Sequence, residues 1–101
     1  MPRVCLSARS RADLEEISEG TGFSDLRAAQ RTIDGLIDRL KVLRDHPRAG
    51  HPRNEIRPGL RSLRYGHYVF LHREYSDRVD ISRIVRPSRN LPTLEGLDPI
   101  L

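Results

Sequence analysis

Gly59–Arg86 reads GLRSLRYGHYVFLHREYSDRVDISRIVR, and the way this stretch pairs with itself decides the fold. β-Branched and aromatic residues fill three runs, separated at Tyr65-Gly66 and Ser76-Asp77 by residues suited to tight turns. Two-residue hairpins at those points set Leu63 opposite Tyr68, Arg61 opposite Phe70, Phe70 opposite Arg83 and His72 opposite Ile81. Arg73 then falls opposite Asp80, an opposite-charge pair that favours this register over a one-residue slip.

Alternation along each strand sorts the side chains onto two faces. One face carries Leu60, Ser62, Val69, Leu71, Ser82 and Ile84 at its centre, with Arg64, His67, Arg73, Asp80 and Arg86 towards its ends. The other carries Arg61, Leu63, Tyr68, Phe70, His72, Val79, Ile81, Arg83 and Val85. Arginine is seldom buried without a partner, and Arg61 and Arg83 flank Phe70 in mid-sheet. The first face is therefore assigned to the core. The second, apolar but set with arginine, is assigned to another molecule, because an open apolar patch on a small domain marks a binding site. Its candidate contact residues are Leu63, Tyr68, Phe70, Ile81 and Val85, with Arg61 and Arg83 as cationic anchors.

Upstream of the sheet, Arg3–Ser7 is a short strand. Ser7 or Ser10 can cap a helix with Asp13, Glu15 and Glu16 in its early turns, where carboxylates favour the helix dipole. Leu14 and Ile17 form its apolar stripe, and Gly20 with Gly22 ends it. A second helix begins near Ser24-Asp25 and stops at His46 before Pro47. Within it Leu26, Ala29, Ile33, Leu36, Ile37, Leu40 and Leu43 recur at steps of three and four. The two helices are expected to pack as an antiparallel hairpin, with Gly35 allowing the first helix to approach closely. His46–Pro58, with three prolines, is a loop leading to the sheet. Residues 87–101 (PSRNLPTLEGLDPIL) read as an extended tail anchored by Leu91, Leu94, Leu97, Ile100 and Leu101. The reading is α+β in the order β-α-α-β-β-β: a short N-terminal strand, a helical hairpin and a three-stranded antiparallel meander. Residues 1–101 form a single domain.

The chain has a net charge of +4, and 17 of its 18 basic residues are arginine. Residues 1–46 hold equal numbers of acidic and basic residues, so the excess lies in the half that forms the sheet. A cationic sheet suits an acidic protein or a phosphate backbone. Guanidinium clamps anions but does not act as a base near neutral pH. Cys5 stands alone, which excludes a disulfide framework and a cysteine-rich metal site, and makes it a small buried hydrophobe. His46, His51, His67 and His72 lack the spacing of metal ligands. No metal or cofactor is expected. No apolar run reaches membrane-spanning length and no signal-peptide pattern opens the chain, so a cytoplasmic protein is expected. Cleavage of RNA by its own 2′-hydroxyl would need a phosphate clamp, a base and an acid. Arg61, Arg83, Arg86 and Arg89 supply a clamp, but only His72 and Tyr68 stand near as proton carriers. No catalytic residue is assigned.

Three stretches, VCLSARSRADLEEI, DHPRAGHPRNEIRPGLRSL and GHYVFLHREYSDRVDISRIVRPSRNL, resemble the ParE/RelE family of bacterial toxins, and specifically its ParE branch. The resemblance implies the toxin of a type II toxin–antitoxin system, held in a hetero-oligomer by a co-encoded acidic ParD-like antitoxin. Its ParE branch implies inhibition of DNA gyrase by protein binding, with nucleic acid involved only indirectly. Arg61, Arg83, Arg86 and Arg89 are then the target-binding residues, and the open face binds the antitoxin. The alternatives are a ribosome-dependent messenger-RNA endonuclease of the RelE kind, or an inactive toxin kept for antitoxin binding and operon autoregulation. Against the RelE pattern, the first basic residue matches Arg61 and the later strand-exit arginine matches Arg86. The other functional positions fall on Leu63, Tyr68 and Pro92. Against the ParE pattern, Pro87 replaces the histidine after the last strand and Arg89-Asn90 replaces Arg-Asp.

Overall fold

The computed structural model describes residues 3–20 and 25–86. Arg3–Leu6 forms β1, Ala8–Ser18 α1 and Leu26–Asp45 α2, followed by His51–Pro52 (β2), Leu60–Tyr65 (β3), Tyr68–Glu74 (β4) and Arg78–Val85 (β5). The strands make one sheet in the order β1-β5-β4-β3-β2. The expected meander lies at its centre. β1 joins it in parallel with β5, and β2 adds a pair of residues antiparallel to β3. A proline in β2 is tolerated because that strand is an edge.

Both helices start where a short polar side chain can take a free backbone N–H. The Ser10 amide donates to Ser7 Oγ at 3.0 Å, and the Ala28 amide donates to Asp25 Oδ1 at 2.7 Å. α2 ends at Asp45, two residues before Pro47, as its sequence predicts. The early-turn carboxylates expected to serve the dipole of α1 do otherwise: none lies in the first turn, and Asp13 is engaged by β5. Gly35 does not face α1. A methyl group there would overlap the phenol of Tyr65, so the glycine lets α2 settle on β3.

The first hairpin turns one residue later than expected, at Gly66-His67, so Leu63 pairs with Phe70 and Arg61 with His72. Gly66 has φ 57 and no other residue there is left-handed, the sign pattern of a II′ turn with glycine first. The shift moves partners by two places and leaves each side chain on its expected face. In the second hairpin Ser76-Asp77 is the turn, and His72–Ile81 and Arg73–Asp80 pair as expected. Beyond them a bulge intervenes: Leu71 pairs with Arg83, Phe70 with Ile84 and Val69 with Val85. Ser82 is the extra residue, and the alternation of β5 inverts after it.

The helices cover the face that was expected to stay open. Leu63, Tyr68, Phe70, Val79, Ile81 and Ile84 are buried with Ile17 of α1 and Leu36 and Leu43 of α2, and Leu40 packs against the same cluster. Phe70 and Ile81 are 0% exposed. Leu63, Tyr68, Phe70 and Ile81, read as antitoxin contacts, are core residues. The opposite face, read as core, holds a smaller buried cluster of Leu60, Val69 and Leu71, with Ile56 and Val85 against it. Val85, half-buried there, is the one expected antitoxin contact outside the main core.

Candidate functional site

The two arginines that directed the face assignment have local partners. β1 covers the edge of β5 only as far as Ile81, and α1 then takes over that edge. Ser7 Oγ donates to the Ser82 carbonyl at 2.9 Å, and the Ile84 amide donates to Asp13 Oδ2 at 2.9 Å. Arg83 grips the same carboxylate in a fork, Nε to Oδ2 at 2.9 Å and Nη2 to Oδ1 at 3.0 Å. Both side chains are largely shielded, at 16% and 13% exposure. The hydrogen bond to Asp13 raises the Arg83 pKa further, outweighing the opposing effect of burial. A bidentate, shielded pair of this kind closes a sheet edge. Arg83 is therefore part of the scaffold, and its partner Asp13, seventy positions away in the chain, was missed because nothing local in the sequence links the two.

Arg61 lies on the other side of the sheet, in β3. Its Nη2 donates to the Gly50 carbonyl at 3.2 Å, while its Nε is buried without a partner. Across the ladder from it, His72 is 0% exposed and neither ring nitrogen has a hydrogen-bond partner. Burial lowers the His72 pKa to about 4, the backbone of Ala49 opposes the shift, and the charge of Arg61 adds to it. This histidine is a neutral core residue at ordinary pH.

Arg86 is exposed at the end of β5. It shares with Arg83, Asp13, Glu16, Tyr68 and Val85 the wall of a cavity of about 340 Å³ beside α1. Two of the four expected anchors, Arg83 and Arg86, are thus brought together, and Asp13 answers the charge of the first. Arg61 stands apart. Arg89, with Pro87, Asn90 and Pro92, lies outside the described residues, as do Gly22 and the tail.

Of the possible proton carriers, Tyr68 and His72 are both in the core. Among the described residues no cluster of three or more His, Cys, Asp or Glu side chains is placed to hold a metal ion, and no helix is long and apolar enough to cross a membrane. Cys5 has no disulfide and is half-buried, on the wall of a second cleft of about 300 Å³ over the helix-free face.

Comparison with known proteins connects this geometry to a family. The family model described as the ParE toxin of the type II toxin–antitoxin system parDE matches residues 4–91. A solved structure described as the chromosomal ParDE TA system from P. aeruginosa superimposes with a TM-score of 0.71 at 22% identity, covering 85% of this chain and 96% of that chain. No match was found among curated proteins.

Proposed function

The chain belongs to the ParE toxin family of type II toxin–antitoxin systems, and from that premise we propose that it is held inactive by a ParD-like antitoxin and inhibits DNA gyrase by protein binding. The observation that carries the non-catalytic part is the burial of Tyr68 and His72. A ribonuclease of the RelE kind needs groups that give and take a proton at the scissile phosphate, within hydrogen-bonding reach of it. In this fold His72 is fully buried, Tyr68 is 9% exposed at the wall of the cavity beside Arg86, and Arg83, central to the phosphate clamp, is occupied by Asp13. Of the arginines expected to bind the target, the one left exposed among the described residues is Arg86, beside Val85. We assign Arg86, with Arg89, to recognition of the target.

Purified chain added to a gyrase supercoiling reaction is expected to inhibit it or to accumulate cleaved DNA, and Arg86→Ala to weaken that effect without changing the unfolding midpoint. An unaffected gyrase, together with fragmentation of messenger RNA on expression in translating cells, would replace this reading by the endonuclease. Harmless expression with retained antitoxin binding would replace it by a regulatory remnant.

A further inference from the structure

His72 is sealed into the sheet with a cation for a neighbour. On β4 it lies opposite Arg61 of β3 and Ile81 of β5, and it is 0% exposed. Both ring nitrogens lack a hydrogen-bond partner, as does the buried Nε of Arg61. The other charges nearby are already engaged. Glu74, next on the same face of β4, accepts from Arg48 Nε at 2.9 Å. On α2, Lys41 pairs with Asp38 and Arg44 with Asp45 at exposed positions, and Arg39 is a further cation. Asp13 of α1 is held by Arg83, and β5 brings the apolar Val79 and Ile81.

The segment 47–52 closes over this pair at the edge of the sheet, and it is lightly held. β2 pairs with β3 over two residues, His51 with Ser62 and Pro52 with Arg61. Arg61 Nη2 donates to the Gly50 carbonyl at 3.2 Å, and the Arg53 amide donates to the Leu60 carbonyl at 2.7 Å. Gly50, with φ 88, passes so close over β3 that a methyl group there would strike the Ser62 carbonyl. Ala49 packs against the main core, and its backbone acts on the His72 ring. A proton on His72 sets imidazolium beside guanidinium away from water, where like charges repel strongly. Central strand β4, between β3 and β5, cannot yield to that repulsion without global unfolding. A two-residue edge strand can, because thinly held edges open at the least cost.

We propose that the segment 47–52 is an acid-opened latch: uptake of one proton by His72 lifts it from β3, lets water reach the imidazolium and releases Arg61 from Gly50. The opening is local and reversible, with both helices and the β3–β4–β5 meander intact. It uncovers the outer edge of β3, and it is independent of what the toxin acts on.

The test is amide hydrogen exchange of the full chain between pH 7 and pH 5, read by NMR as protection relative to the intrinsic rate at each pH. Protection of the Arg53 amide is expected to fall about tenfold or more over that range, because the opened ring protonates near its ordinary value and draws the equilibrium with it. The Tyr75 amide, which donates to the Arg78 carbonyl at 2.7 Å in the second hairpin, is expected to keep its protection. His72→Leu is expected to abolish the pH dependence at Arg53. Should that variant fail to fold, His72→Gln, which does not titrate either, makes the same comparison. Glu74→Gln cuts the tether to Arg48 and is expected to speed exchange at Arg53 at every pH while leaving the dependence on pH in place. Protection at Arg53 that ignores pH would overturn the proposal, as would a loss shared equally by Tyr75, which is global unfolding. So would a pH dependence that survives His72→Leu but disappears in His51→Gln, which would place the sensor on the exposed histidine of β2.

Discussion

A single carboxylate, Asp13, does the work that the sequence assigned to a binding partner. It receives the Arg83 fork and the Ile84 amide together, so Asp13→Ala strands a shielded guanidinium and an edge N–H at once. Breaking one side of a shielded pair is costly because the remaining charge stays desolvated. With both groups still touching water, a loss of about 2 kcal/mol is expected for Asp13→Ala and for Arg83→Ala, read as a lower urea midpoint. The double variant should cost less than the sum of the two singles. His72 makes a different prediction. Its folded pKa of about 4 lies below the ordinary value of 6.5, so between these values the unfolded chain binds more protons than the folded one. Stability is therefore full above pH 6.5 and falls as the pH drops towards 4, by about 3 kcal/mol over that window. His72→Leu is expected to flatten this slope in urea unfolding followed across pH. It should lose little at neutral pH, since the buried ring is uncharged there.

Among the elements, β5 shows how little is needed to invert a face. Through Ile81 its residues alternate as the sequence predicts, and one extra residue at Ser82 then swaps the sides of Arg83, Ile84 and Val85. Ile84 thereby enters the core and Arg83 leaves it to reach α1. Helix α2 makes the complementary point about close approach. Gly35→Ala should raise helix propensity by about 1 kcal/mol. At this site, however, the added methyl overlaps the Tyr65 ring, which is half-buried between β3 and the helix. Overpacking costs about 1–3 kcal/mol, so a net destabilisation in chemical denaturation is expected. Tyr65→Phe, which removes the nearest atom, should recover part of it.

For the molecule as a whole, the decisive comparison concerns Phe70. As a fully buried residue between two helices and the sheet, its replacement by alanine should cost about 3–5 kcal/mol of stability. Calorimetry of the free chain measures this directly. A Phe70→Ala variant as stable as the wild type, with weakened partner binding alone, would reinstate the open face. The helix boundaries, a serine cap at Ser7 or Ser10, the start of α2 near Ser24-Asp25, the second turn and the Arg73–Asp80 register were legible in the sequence. Each depends on periodicity or on residues within a few positions, and there local energetics and geometry act alone. The choice of sheet face was not legible, nor were the parallel pairing of β1 with β5, the Ser82 bulge and the Asp13–Arg83 clasp. A face is selected by whatever covers it. The helices prefer the side holding Phe70, Ile81 and Leu63 because the bulge takes Arg83 off that side to a carboxylate of α1 at the edge, and Arg61, which stays on it, reaches the Gly50 carbonyl. That compensation joins residues far apart in the chain, and only the folded structure brings them within hydrogen-bonding distance.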